Sequence, residues 1–169
     1  MPLIIQEDPN KYPLPPEGLH KAVCVDVVDL GELDTKFGSK HKLSIIFELE
    51  EEDEEGRRFI VGKRYTWSLN EKSNLRKDLE RWLGRKYRSE ELLAGIDLEE
   101  LLGLNATLFI AHNAGDERTY ANIETILPAN GKGADKYGLK PSSQYTRVID
   151  REGYKEPAEY AASVNGAAV

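Results

Sequence analysis

Between Arg57 and Arg88 the chain carries eleven basic residues and three acidic ones. The basic residues are Arg57, Arg58, Lys63, Arg64, Lys72, Arg76, Lys77, Arg81, Arg85, Lys86 and Arg88. Aromatic rings stand among them: Phe59, Tyr65, Trp67, Trp82 and Tyr87. These residue types together suit one chemistry. Ammonium and guanidinium groups neutralise phosphates and release their counterions, while aromatic faces stack on unpaired bases. The segment sums to +8 in a chain of net charge −7, so everything outside it sums to −15. That asymmetry favours a local polyanion contact and argues against indiscriminate binding to duplex DNA or acidic membranes. The plainer reading, a strand and a helix whose solvated faces are basic, stands beside it.

Other chemistries find little support. His20, His41, His112 and the single Cys24 lack metal-ligand spacing, so no metal or cofactor is expected. There is no phosphate-cradling glycine loop and no nucleophile elbow. Six consecutive acids, Glu50 to Glu55, read as a solvated hairpin tip rather than a catalytic pair. The chain is therefore not expected to be an enzyme. It has no apolar run of membrane-spanning length and no secretory signal, which points to a cytoplasmic protein.

The residues above need elements to position them. At 169 residues the chain is expected to form one domain, residues 17–128, between an extended proline-containing arm (1–16) and a loosely ordered tail (129–169). The first strand runs from about Leu19 to Leu30; its apolar residues are nearly continuous, as in a strand buried on both faces or changing face at a bulge. A loop, Gly31 to His41, carries Lys36, Phe37 and Lys40 at its tip. Lys42 to Glu50 alternates cleanly, with Leu43, Ile45, Phe47 and Leu49 on one face. Arg58 to Leu69 is the third strand, where Gly62 can mark a bulge. Leu75, Leu79, Trp82 and Leu83 then make one apolar helical stripe, capped by Asn70 or Ser73 and ended by Gly84. Short helical pieces follow at Ser89–Leu93 and Leu98–Leu102, then strands at Ala106–His112 and Thr119–Leu127. Three strands, a helical insert and two strands is the order of a five-stranded OB-fold barrel, with its helix between the third and fourth strands.

The run KRYTWSLNEKSNLRKDLERWLGR (63–85), followed by DLEELLG and later YANI, resembles a family of phage and prophage single-stranded DNA-binding proteins with an OB-fold. The resemblance covers roughly residues 18–128 and is most specific at Glu71–Lys77. It implies binding to single-stranded DNA in phage-type replication or recombination, in the cytoplasm of a bacterial host. One departure is the tail: such proteins often end in an acidic segment that recruits partners, whereas this chain ends Ser163-Val-Asn-Gly-Ala-Ala-Val169.

A set of nucleic-acid-binding residues follows. Arg58 and Arg64 share the polar face of the third strand and would meet phosphates. Lys42 lines the second strand, and Lys36, Phe37 and Lys40 the loop tip. Lys72, Arg76, Lys77 and Arg81 form the polar side of the helix. Tyr65, Trp67 and Tyr120 can stack on bases or pack in the core, and Lys63 lies on the same face as Tyr65. Two alternatives remain open. The barrel could be a protein-interaction module of a replication or recombination complex. A metal-dependent nucleic-acid enzyme would need clustered acids at strand ends, and the only cluster is the hairpin run.

Overall fold

The computed structural model describes Leu3, residues 14–129 and residues 134–157. Most of the expected N-terminal arm and the end of the tail lie outside the described residues. Five strands form one antiparallel open sheet: β1 (Gly18–Thr35), β2 (Gly38–Glu52), β3 (Arg58–Thr66), β4 (Asn105–Ala114) and β5 (Thr119–Pro128), in the order β3-β2-β1-β4-β5. Cα atoms of the edge strands β3 and β5 come within 8 Å of each other, so the sheet curls towards a barrel. Between β3 and β4 lie the helices α1 (Asn74–Leu83) and α2 (Ser89–Ala94) and a 3-10 turn, Leu98–Leu101.

Local chemistry sets the boundaries of α1. The Ser73 side chain accepts from the Arg76 backbone N–H at 3.2 Å. Gly84 ends the helix in the left-handed region at φ 73°, where its lack of a Cβ removes the steric cost. The stripe Leu75, Leu79 and Trp82 is buried against the inner face of the sheet, with Leu43, Ile45, Phe47 and Leu49 of β2 in the same cluster. Trp82 is fixed twice: its Nε1–H donates to the Asn105 carbonyl at 2.8 Å, and its ring meets Phe47 edge-on at 5.3 Å.

Two stretches differ from the sequence expectation. The segment 31–41, expected as a loop, is hairpin: β1 and β2 stay paired down to Thr35↔Gly38, leaving a two-residue turn at Lys36–Phe37. Gly31, φ 69°, sits at a register shift and so absorbs a bulge rather than ending the strand. The tail also departs from expectation. Residues 134–157 have no strand and only a short 3-10 turn, yet they cross the outer face of β1 and β2 as a strap held by side-chain hydrogen bonds. That cover explains the continuous apolar run of β1. Ala22 and Cys24 face the central core, while Val23 and Val28 are buried outside it.

Candidate nucleic-acid interface

The cross-strand register gathers several of the expected residues at one end of β1, β2 and β3. Lys42 lies opposite Thr66 and donates to its hydroxyl at 2.8 Å; Ser44 lies opposite Arg64. Arg64 is exposed and has no carboxylate partner among the described residues. The β1–β2 tip extends the same end. Phe37 there is 78% exposed, with the Lys36 ammonium 5.2 Å from its ring centre, and Lys40 is exposed nearby in β2. Trp67, 49% exposed, follows directly after β3. Its backbone N–H donates to the His41 carbonyl at 2.8 Å, and its ring stacks on the His41 imidazole at 4.1 Å and 6°. His41 Nε2 in turn lies 2.6 Å from Asp29 Oδ1, so a β1 carboxylate positions the imidazole that supports the tryptophan. Nothing in the sequence marks His41 or Asp29, because their link spans β1 and β2 and leaves no trace in local pattern.

Other expected residues are engaged inside the fold. Tyr65 is 2% exposed and donates to Asp78 Oδ2 at 2.7 Å; a ring so enclosed offers no face to a base. Burial, and then the charge of Asp78, push its phenol well above the ordinary range. Lys63 reaches the same carboxylate at 2.8 Å, and Arg81 reaches Asp78 Oδ1 at 3.1 Å. Arg58, expected to face phosphates, instead donates to fully buried Glu48 at 3.3 Å and to the Lys140 carbonyl of the strap at 2.5 Å. Arg76 lies 3.6 Å from Glu80. Of the eleven basic residues in this segment, seven face carboxylates: Arg57, Arg58, Lys63, Arg76, Arg81, Arg85 and Arg88. Arg64, Lys72, Lys77 and Lys86 have no such partner among the described residues. The forked Arg85 contact, joined by the Arg88 backbone N–H, holds the Glu91 carboxyl down at about 2. Asp78 and Glu80 belong to the segment itself, so the carboxylates brought in from outside it are Glu48, Glu55 and Glu91, and five of its eight excess positive charges stay unmatched among the described residues.

Tyr120 stands apart from this group. It is 44% exposed at the β4–β5 hairpin, with the Arg118 guanidinium 4.7 Å from its ring centre. The register puts that hairpin near the start of β1, whereas the Lys36–Phe37 turn lies at the far end of β1. Arg118, in the turn just before β5, carries no role in the sequence pattern; its place two residues before Tyr120 was the available signal. The acidic residues Glu50 to Glu55 also lie at the far end of β2 from Lys40 and Lys42.

The strap is anchored by two fully buried carboxylates. Asp26 accepts from the Tyr145 hydroxyl at 2.8 Å, Arg147 Nε at 3.0 Å and the Val148 N–H at 2.8 Å. Glu48 accepts from the Ser142 N–H at 2.7 Å and from the Ser142 hydroxyl. Arg147 also holds both Glu99 oxygens at 2.9 Å. Beyond Arg147 the strap closes one wall of a cavity of about 530 Å³, bounded by Val27–Asp29 of β1, Trp67–Leu69, Leu75, Ile96–Glu99, Ile149 and Tyr154. Among the described residues no group of three or more His, Cys, Asp or Glu is placed to hold a metal ion, and no helix is long and apolar enough to cross a membrane. No protein-family model matches the chain, and no curated protein matches it.

Proposed function

We propose that this chain binds single-stranded DNA with little sequence preference, as an OB-fold protein of phage-type replication or recombination in a bacterial cytoplasm. The strand order supports the fold. The order β3-β2-β1-β4-β5 in an open antiparallel sheet, with β3 approaching β5, agrees with the strand order of a five-stranded, partly open Greek-key barrel. In that fold the outer face of the second and third strands takes oligonucleotides.

One observation carries the functional half. One end of the sheet carries two exposed aromatics, Phe37 and Trp67, with Lys40 and Arg64, cations that no carboxylate matches among the described residues; alternation puts Lys40 and Arg64 on the outer face and Trp67, stacked on His41, at the core-side rim. A strand laid across that rim would have its phosphates neutralised by the outer-face cations and its unpaired bases stacked on the rings, with little sequence preference because every base has a π face. The strap covers the outer face at Asp26 and Glu48 and leaves Lys42, Ser44, Arg64 and Thr66 uncovered at the other end. The test is intrinsic fluorescence. Trp67 is exposed and Trp82 buried, so quenching by oligo-dT reports on Trp67. The expected result is saturable quenching that weakens steeply with salt and is much weaker for duplex of the same length. Absence of oligo-dT binding, or equal affinity for duplex, rejects the reading.

A further inference from the structure

Trp67 enters the proposed interface as an exposed ring; the cavity beside it has no role there. Its volume, about 530 Å³, falls in the range of small-molecule sites and is several times that of a nucleobase. Its walls are mainly apolar: Val27, Val28, Leu69, Leu98 and Ile149, with Trp67 at one side. His41 covers one face of the Trp67 ring at 4.1 Å, which leaves the other face and the edges for the cavity. A flat ring entering here would complete a three-layer stack with Trp67 and His41.

The charged groups at the cavity are all carboxylates, beside the hydroxyls of Ser68 and Tyr154, which can donate or accept. Asp29 Oδ1 accepts from the Gly31 N–H at 2.9 Å and contacts His41, and Asp97 Oδ1 accepts from the Glu99 N–H at 3.0 Å. The second oxygen of each carries no hydrogen bond among the described residues. Glu99 is matched by Arg147 through both its oxygens. An apolar slot edged by the carboxylates of Asp29, Asp97 and Glu99 repels phosphate and favours an uncharged ring that carries N–H donors. Guanine presents two adjacent N–H donors, N1–H and the 2-amino group, to such acceptors, whereas thymine presents a single N–H between two carbonyl oxygens. Phosphates on either side of such a base would remain outside, towards Lys42 and Arg64, which lie on the strands that lead to Trp67.

We infer that this cavity is a subsite for one unstacked nucleobase of the bound strand, selective for guanine over thymine. The inference rests on the single-strand reading for its biological ligand, but its test uses a probe without phosphates. In the full-length protein the indole N–H signals of Trp67 and Trp82 are separated by NMR and assigned with Trp67→Phe. Titration with guanosine is expected to shift the Trp67 signal saturably and leave Trp82 unmoved, with thymidine roughly tenfold weaker. Asp97→Asn should erase most of that preference, and Ile149→Trp, which fills the cavity from an exposed position, should abolish the response while the protein stays folded by its Trp82 signal. No saturable shift with guanosine, or equal affinity for the two nucleosides, overturns the inference. A parallel oligo-dT titration separates the two ideas. Oligo-dT binding without a guanosine response sinks the subsite alone. A guanosine response without oligo-dT binding sinks the single-strand reading and leaves the cavity a base site.

Discussion

Two aromatic residues two positions apart have opposite roles. Tyr65 ends its side chain on Asp78 inside the core, whereas Trp67, just beyond the last paired residue of β3, turns out to stack on His41. Trp67→Ala should weaken oligo-dT binding by about 1–3 kcal/mol, a loss of roughly 5- to 150-fold by anisotropy, and leave the melting temperature nearly unchanged. Tyr65→Phe should do the reverse: it removes one hydrogen bond from Asp78 and costs about 1–2 kcal/mol of stability in a urea titration without altering binding. Cys24 gives a second residue-scale expectation. Burial pushes its thiol from 9.0 up to about 12. The folded state thus holds the proton more tightly than the unfolded state, so this contribution is complete below pH 9 and is lost as pH rises from there towards 12. By about pH 10 the loss amounts to about 1–2 kcal/mol, which Cys24→Ala should remove from the pH profile of thermal melting. At neutral pH the native thiol should resist alkylation and react only when denaturant is added.

At the scale of elements, the strap converts a sheet with one exposed face into one buried in part on both sides. Arg147 is its main fastener, bridging buried Asp26 and the Glu99 carboxylate. Arg147→Ala leaves Asp26 enclosed with only a hydroxyl and one backbone N–H, and should cost about 3 kcal/mol. Adding Asp26→Asn should recover part of that loss in a double-mutant cycle, a coupling that simple deletion of surface charge would not produce. The five strands and the stripe of α1 were legible in the sequence because alternation and 3.6-residue spacing are local signals. The strap was not. Its anchors are single residues, Ser142, Tyr145 and Arg147, whose partners lie about a hundred positions away, and its glycines and prolines signal irregular backbone whether or not it is docked. The near-continuous apolar run of β1 held the missing information: a strand with both faces apolar needs a second cover, and the chain after β5 supplies it. The full length of the β1–β2 hairpin was hidden for a similar reason, since Gly31 marks a bulge as readily as a loop. For the site, residue types were legible but pairing was not. Arg58 and Arg64 have the same type and face, and only the position of Glu48 and the strap separates them.

Over the whole molecule the charges are arranged along β2, with Lys40 and Lys42 near its start and the acidic run at its end. From Lys42 to Glu52 the strand rises about 33 Å, several times the Debye length of about 8 Å at physiological salt. The two ends therefore act independently in the cell, and the net charge of −7 does not describe the field near Trp67. The salt dependence of binding should report only the open cations. With about four to six phosphates met by Lys36, Lys40, Lys42, Arg64, Lys72 and Lys77, the slope of log K against log salt should be about −3 to −4 for a single strand. Arg64→Ala should reduce that slope by about 0.7, whereas Arg58→Ala should leave it unchanged and lower stability instead, because Arg58 serves Glu48. Replacing the acids of 50–55 by glutamine should change affinity less than about twofold at physiological salt, where screening separates the ends. Near 0.01 M salt, where the Debye length is about 30 Å, the same change should strengthen binding severalfold. An Arg58 effect on the slope as large as that of Arg64 would mean that the strap releases Arg58 to the DNA; an equal gain from the glutamine protein at both salts would mean that the acidic hairpin touches the strand directly.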